Sequence, residues 1–190
     1  MKKKAPDSLA TVSGILDKGG IVVLQCDTIY GFLGAVPDTR ERLCRIKRRD
    51  IEKPLLALIP RLSWLNRFTD QQLPSSLRPY WPGPLTLVFR ALEGGTIGLR
   101  MPDDPWLVSL LEKTGMPLYS TSVNREGESP MNTIADIMAE FEKEVDLIVD
   151  SGDLPGGEAS TVLDISKQPF RLLRQGVLRL PKEALEEGKE

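Results

Sequence analysis

Short apolar runs of four or five residues, at 21–24, 55–59 and 85–89, recur along this chain with stretches of helical periodicity between them. Runs that short suit buried strands and are too brief for helices. Residues 8–18 place Leu9, Val12, Ile15 and Leu16 at helical spacing, with Asp7 or Ser8 as N-cap and Gly19-Gly20 as the stop. The spacing predicts further strands at 30–36, 96–100, 117–120, 145–149, 161–165 and 170–173, and further helices from Asp38 to Arg48 and over 105–114 and 133–142. The 64–80 stretch reads as helix in pieces, broken at Pro74. Helices alternate with strands, and some strands follow one another directly, which favours one α/β domain on a mixed parallel and antiparallel sheet with flanking helices. Residues 1–7 read as a basic N-terminal extension, 8–180 as the domain, and 181–190 as a charged, frayed tail.

The chain contains no histidine among its 190 residues. That removes the usual base of Ser-His-Asp and Cys-His hydrolases and any zinc site needing imidazole. Chemistry here must rest on positioning, positive charge and hydrogen bonding. No apolar run approaches the roughly 20 residues of a membrane span. The two cysteines, Cys26 and Cys44, fit neither a disulfide framework nor a CxxC metal site, so a cytoplasmic, reducing home is the simplest expectation.

Charge is unevenly spread. Between Arg40 and Lys53 seven basic residues face three acidic ones, a local +4 in a chain whose net charge is −2, leaving −6 elsewhere. An anionic partner, nucleotide or polynucleotide, would be drawn there. The basic residues of the 38–48 helix are expected mostly outward. Lys47 and Arg49 sit where that helix should end: they complement its dipole, or Arg49 with Lys53 clamps phosphate oxygens. Ser120-Thr121-Ser122-Val123-Asn124 follows a predicted strand, and alternation would put Ser120, Ser122 and Asn124 on one face. A capping and turn cluster is the other reading. With no histidine, a serine nucleophile would need a lysine base. Trp81-Pro82-Gly83-Pro84 is a rigid turn that could wall a pocket or simply stiffen a loop. Arg100 emerges from a buried-looking strand and wants a carboxylate or phosphate partner. The GxxxxGK[ST] and GxGxxG nucleotide signatures are missing.

Taken in order, these segments resemble the YrdC-like family of threonylcarbamoyl-adenylate synthases, in its short single-domain form. The resemblance runs from Asp27-Thr28-Ile29-Tyr30-Gly31 through Ile46-Lys47-Arg48-Arg49, Lys53-Pro54-Leu55, Trp81 to Thr86, Gly98 to Pro102, the Ser120–Asn124 cluster and Ser160-Thr161-Val162 to Arg174-Gln175-Gly176. It implies a twisted sheet with a concave basic cavity. It implies the joining of L-threonine, bicarbonate and ATP, with Mg2+, into threonylcarbamoyl-AMP and pyrophosphate. The product would pass to a downstream threonylcarbamoyl-transfer complex that modifies adenosine 37 of tRNA. By position, Lys47, Arg49, Ser122 and Asn124 would form the catalytic set, and no resident metal site is implied. Arg49, Lys53, Thr96, Ser122 and Arg174 would contact ATP. Cys26, Thr28, Leu58, Arg100, Ser120 and Ser160 would surround threonine, with Arg100 on its carboxylate. Four positions depart from the family pattern. Gln25-Cys26 stands where proline and threonine are usual, Leu58 where some members carry histidine, and Asp50 where proline is common. The competing expectation is a non-catalytic or differently specific paralogue that binds RNA through the same basic concavity.

Overall fold

The computed structural model describes residues 1–5 and 7–185. Its helices are α1 (Ser8–Leu16), α2 (Arg40–Lys47), α3 (Pro105–Thr114), α4 (Ile134–Phe141) and α5 (Lys182–Leu185). Its strands are β1 (Val22–Gln25), β2 (Tyr30–Ala35), β3 (Leu56–Leu58), β4 (Leu85–Arg90), β5 (Thr96–Arg100), β6 (Leu118–Ser122), β7 (Leu147–Ile148), β8 (Thr161–Asp164) and β9 (Arg171–Arg174). They form one mixed sheet in the order β7-β1-β2-β6-β3-β5-β4-β8-β9. The β1/β7, β3/β5 and β4/β8 pairs are parallel, and the other neighbours antiparallel. The helical pieces expected at 64–80 are 3-10 turns, Leu62–Arg67 and Ser75–Tyr80, the second beginning directly after Pro74.

Strand alternation sorts the core. In β1, Val22 and Leu24 join α1 and α3 through Val12, Leu16, Leu107 and Leu110, while Val23 joins the opposite layer of α2 and α4 through Leu43, Ile46, Ile137 and Phe141. At the other end of the sheet, Leu85, Leu87 and Phe89 of β4 pack with Leu99, Leu163, Trp64 and Leu77. The opposite faces of β4, β5 and β8 carry no helix of this cluster, and the cavity described below opens there.

Caps are local. Asp104 accepts hydrogen bonds from the Trp106 and Leu107 amides, Pro105 occupies the first turn of α3, and Gly115 ends it at φ 66°. The N-cap of α2 is Thr39 rather than Asp38, and the Thr39 hydroxyl donates back to Ala35 O at 2.8 Å instead of capping. Lys2 pairs with Asp150, and Lys3 donates to Asp104 at 2.7 Å and to Gln25 O at 3.3 Å, so this part of the N-terminal segment is docked. The tail is helical over Lys182–Leu185, because Ala184 buries in the same apolar cluster as Leu77 and Trp64. The rest of the expected tail, 186–190, lies outside the described residues.

Candidate active site

A cavity of about 460 Å³ lies over the open face of the sheet. Its floor follows from alternation: Thr86 and Val88 face it from β4 while Leu87 turns into the core, and Gly98 and Arg100 face it from β5 while Leu99 turns away. Gly31 keeps one wall low, since a Cβ there would meet Cys26 Sγ at 3.2 Å.

One end is cationic, and the C-terminus of α2 builds it. Lys47 is buried rather than outward, at 2% exposure. Its ammonium donates to Ser122 O at 2.7 Å, to Asn124 O at 2.9 Å and to Asn124 Oδ1 at 2.9 Å, which accounts for all three of its hydrogens. Asn124 Nδ2 is committed to Arg125 O and Glu128 O, which fixes the amide orientation, so the Ser122 hydroxyl must donate to Oδ1, at 2.5 Å. Burial, helped by the nearby Arg49 charge, pushes the Lys47 ammonium down to about 8. After Lys47 the chain turns through Arg48 in the left-handed conformation, φ 51°, and the Arg49 amide donates back to Cys44 O. That turn returns Arg49 to the cavity. Arg49 Nη1 meets Glu126 Oε1 at 2.9 Å, Lys53 Nζ meets the same oxygen at 3.1 Å, and Arg49 Nε is buried without a hydrogen-bond partner. The Lys53 hydrogen bond is the chief influence holding the Glu126 carboxyl below its usual range.

The 125–128 loop is held from behind. Arg125 donates to Ile46 O, pairs with Glu140 at 2.7 Å and Glu144 at 2.6 Å, and stacks over Phe141 at 4.5 Å.

The other end carries a second arginine. Arg100 is 4% exposed, and its Nη2 lies 2.5 Å from Asp27 Oδ1. That contact is an ion pair without hydrogen-bond alignment, because both Asp27 oxygens and Arg100 Nη2 lack a properly directed partner. Arg100 also donates to Thr28 Oγ1 and to Gly83 O, each at 3.3 Å, so the Trp81–Pro84 turn steadies Arg100 without itself lining the cavity. Cys26 Sγ sits 3.9 Å from Ser120 Oγ, and burial pushes its thiol up to about 11. Ser160 Oγ and Thr86 Oγ1 lie 2.9 Å apart. Arg174 donates twice to Ser160 O, at 3.1 and 2.9 Å. Burial, and then Arg100, lower the Arg174 pKa. Gly176 is required behind it, since a Cβ would meet Ala159 O at 2.1 Å.

A family model described as "Telomere recombination", for Sua5, YciO and YrdC proteins, matches residues 14–176. The chain belongs to this family. It is 29% identical over 182 residues to the threonylcarbamoyl-AMP synthase of Pyrococcus abyssi, covering 88% of this chain and 54% of that protein. The chain thus spans about half the length of that relative. Its fold superposes on P. abyssi Sua5 complexed with L-threonine with a TM-score of 0.84, at 26% identity, covering 95% of this chain and 57% of that one. Escherichia coli YciO superposes with a TM-score of 0.81 at 26% identity, covering 93% of this chain and 92% of its own.

Against the resemblance to this family, Lys47, Arg49, Thr96, Ser122, Asn124 and Arg174 line the cavity, as do Cys26, Thr28, Arg100, Ser120 and Ser160. Thr96 stands exposed at the rim. Two named residues do not line it. Lys53 reaches it only through Glu126. Leu58 is 1% exposed in the cluster with Leu107, Leu110 and Leu118, because α3 covers its end of β3 while Leu56 remains in the open cavity. Three residues escaped the sequence reading. Asp27 lies in the 27–31 segment, and a carboxylate is the partner a buried arginine requires. Thr86 is one strand repeat from Val88 on the cavity face. Glu126 carried no sequence signal, since its role depends on a turn that meets α2. Among the described residues no cluster of three or more His, Cys, Asp or Glu side chains could hold a metal. Among the described residues Glu126 is the one acidic side chain lining the cavity, and it already serves Arg49 and Lys53, so the cavity offers no free carboxylate to hold a divalent cation.

Proposed function

We propose that this chain is an L-threonylcarbamoyladenylate synthase, a nucleotidyltransferase acting on ATP-Mg, bicarbonate and L-threonine for tRNA modification. The observation that carries the reading is a single cavity holding Lys47, Arg49, Ser122 and Asn124 at one end and Arg100, Ser120 and Ser160 at the other, with no histidine anywhere in the chain. A polyanion suits the first end and an amino acid carboxylate the second. Bicarbonate takes up a proton and loses water to give CO2, and threonine's free amine adds to that CO2 and gives up a proton to water, leaving a carbamate. A carbamate oxygen then attacks the α-phosphorus of ATP as the bond to the bridging oxygen breaks, and pyrophosphate leaves with Mg2+. No step needs a histidine base, so alignment and stabilisation of phosphate charge are what the protein must supply.

Arg49 would hold phosphate oxygens, and the buried Lys47, whose three hydrogens serve Ser122 and Asn124, would add positive charge behind it. Arg100 would take the threonine carboxylate, with Asp27 fixing the guanidinium from its other side. The test is pyrophosphate release from ATP-Mg and bicarbonate with and without L-threonine. Release that requires threonine supports the synthase. Absence of release, with ATP-Mg still raising the melting temperature, would leave a nucleotide site with another acyl substrate. RNA binding as the main role predicts instead an affinity for tRNA that falls steeply with salt.

A further inference from the structure

The geometry points to Glu126 as a tethered competitor for the phosphate-bearing end of the ligand, closing the cationic end when that end is empty. Among the described residues Glu126 is the one acidic side chain lining the cavity, against Lys47, Arg49, Arg100 and Arg174. A single oxygen, Oε1, serves Arg49 Nη1 at 2.9 Å and Lys53 Nζ at 3.1 Å, the way one phosphate oxygen would bridge two cations. A phosphate cannot take those same two hydrogens while that oxygen holds them.

The loop is built for such an exchange. The Glu126 backbone is fixed, its amide donating to Lys47 O at 2.7 Å, and Arg125 anchors the residue before it to Glu140 and Glu144. The side chain itself is about a quarter exposed. Opening therefore needs rotamer changes in Glu126 rather than movement of the loop. Being tethered, the carboxylate competes at a high local concentration whatever the solution holds. A departing polyphosphate is replaced by Glu126 instead of leaving two bare cations, which favours its release. The buried Arg49 Nε, which has no partner in the closed arrangement, remains for the incoming anion. Arg100, at the other end, pairs with Asp27 and takes no part.

This inference rests on the reading of the cationic end as a phosphate site, and binding experiments separate the two. Inorganic pyrophosphate and L-threonine are each titrated, without Mg2+, into the wild type, E126Q and E128Q. Glu128 lies on the same loop and makes no ion pair with Arg49 or Lys53, so it controls for a general loss of negative charge. E126Q is expected to bind pyrophosphate about two- to fivefold tighter, the size of a partly exposed ion pair, with threonine affinity unchanged and E128Q like the wild type. Equal tightening in E128Q, or unchanged or weaker pyrophosphate binding in E126Q at an unchanged melting temperature, overturns the tethered competitor. Weakening seen only when Mg2+ is added would make Glu126 a metal ligand and overturns it too. Binding in the wild type without gain in E126Q leaves the phosphate site standing, whereas no binding of pyrophosphate to any of the three proteins refutes both readings.

Discussion

At the scale of single residues the molecule separates groups that hold the site from groups that hold the fold. Arg49 is bonded to Glu126 and Pro54 O on the loop surface and belongs to no apolar cluster. Arg49→Ala should therefore abolish the rise in melting temperature that ATP-Mg gives the wild type while leaving the unliganded transition nearly unchanged, checked by thermal melts over an ATP series. An unfolded variant would assign Arg49 a structural role instead. Lys47 gives a pH signature. Its folded value of about 8 lies below the 10.5 of a free lysine, so between those values the unfolded chain binds more protons, and this group makes stability rise with pH. Anion affinity must move the other way, because Lys47 loses its charge as pH passes about 8, where the phosphates of ATP are already ionised. Titrations of ATP from pH 7 to 9.5 should show affinity falling with a midpoint near 8, and Lys47→Arg should remove that fall. Cys26 tests the opposite end. With its thiol 3.9 Å from Ser120 Oγ, Cys26→Thr should change the affinity for L-threonine far more than that for ATP, measured by calorimetry.

At the scale of elements, turns and caps position the charges. The left-handed Arg48 lets α2 stop so that Lys47 goes inward and Arg49 returns along the surface. Helical periodicity placed α2 correctly but could not foresee Lys47 as buried. Its three acceptors come from β6 and the loop after it, 75 to 77 residues away. Strand β6 carries its pattern through Ser122, two residues beyond the expected end, because Ser122 pairs with Gly31 of β2. Strand β9 depends on Gly176, whose Cα passes close to Ala159 O. Gly176→Ala should displace Arg174 from Ser160, lowering ATP affinity along with the melting temperature. At α3, Asp104 caps two amides and also binds Lys3. Asp104→Ala should cost about 1–2 kcal/mol by chemical denaturation, with the helix end and the N-terminal segment loosened together.

At the scale of the whole molecule, one sheet serves a core on one side of β4, β5 and β8 and the cavity on the other. Leu58 marks the border, since Leu56 faces open cavity and Leu58, one repeat on, lies under α3. Leu58→Ala should cost about 2–5 kcal/mol in denaturant unfolding. It should leave threonine affinity alone at temperatures where the protein stays folded, which separates a packing residue from a ligand contact. The α/β class, the positions of nearly every strand and the basic character of the 40–53 stretch were legible in the sequence, because strand runs, helical spacing and charge are properties of neighbouring residues. So was the exclusion of histidine chemistry. The pairing of Asp27 with Arg100, the sharing of Glu126 between Arg49 and Lys53, the burial of Lys47 and the withdrawal of Leu58 were decided only by the tertiary structure. Each joins segments dozens of residues apart, and burial depends on which helix happens to cover a strand end. That is a fact of packing that no local pattern carries.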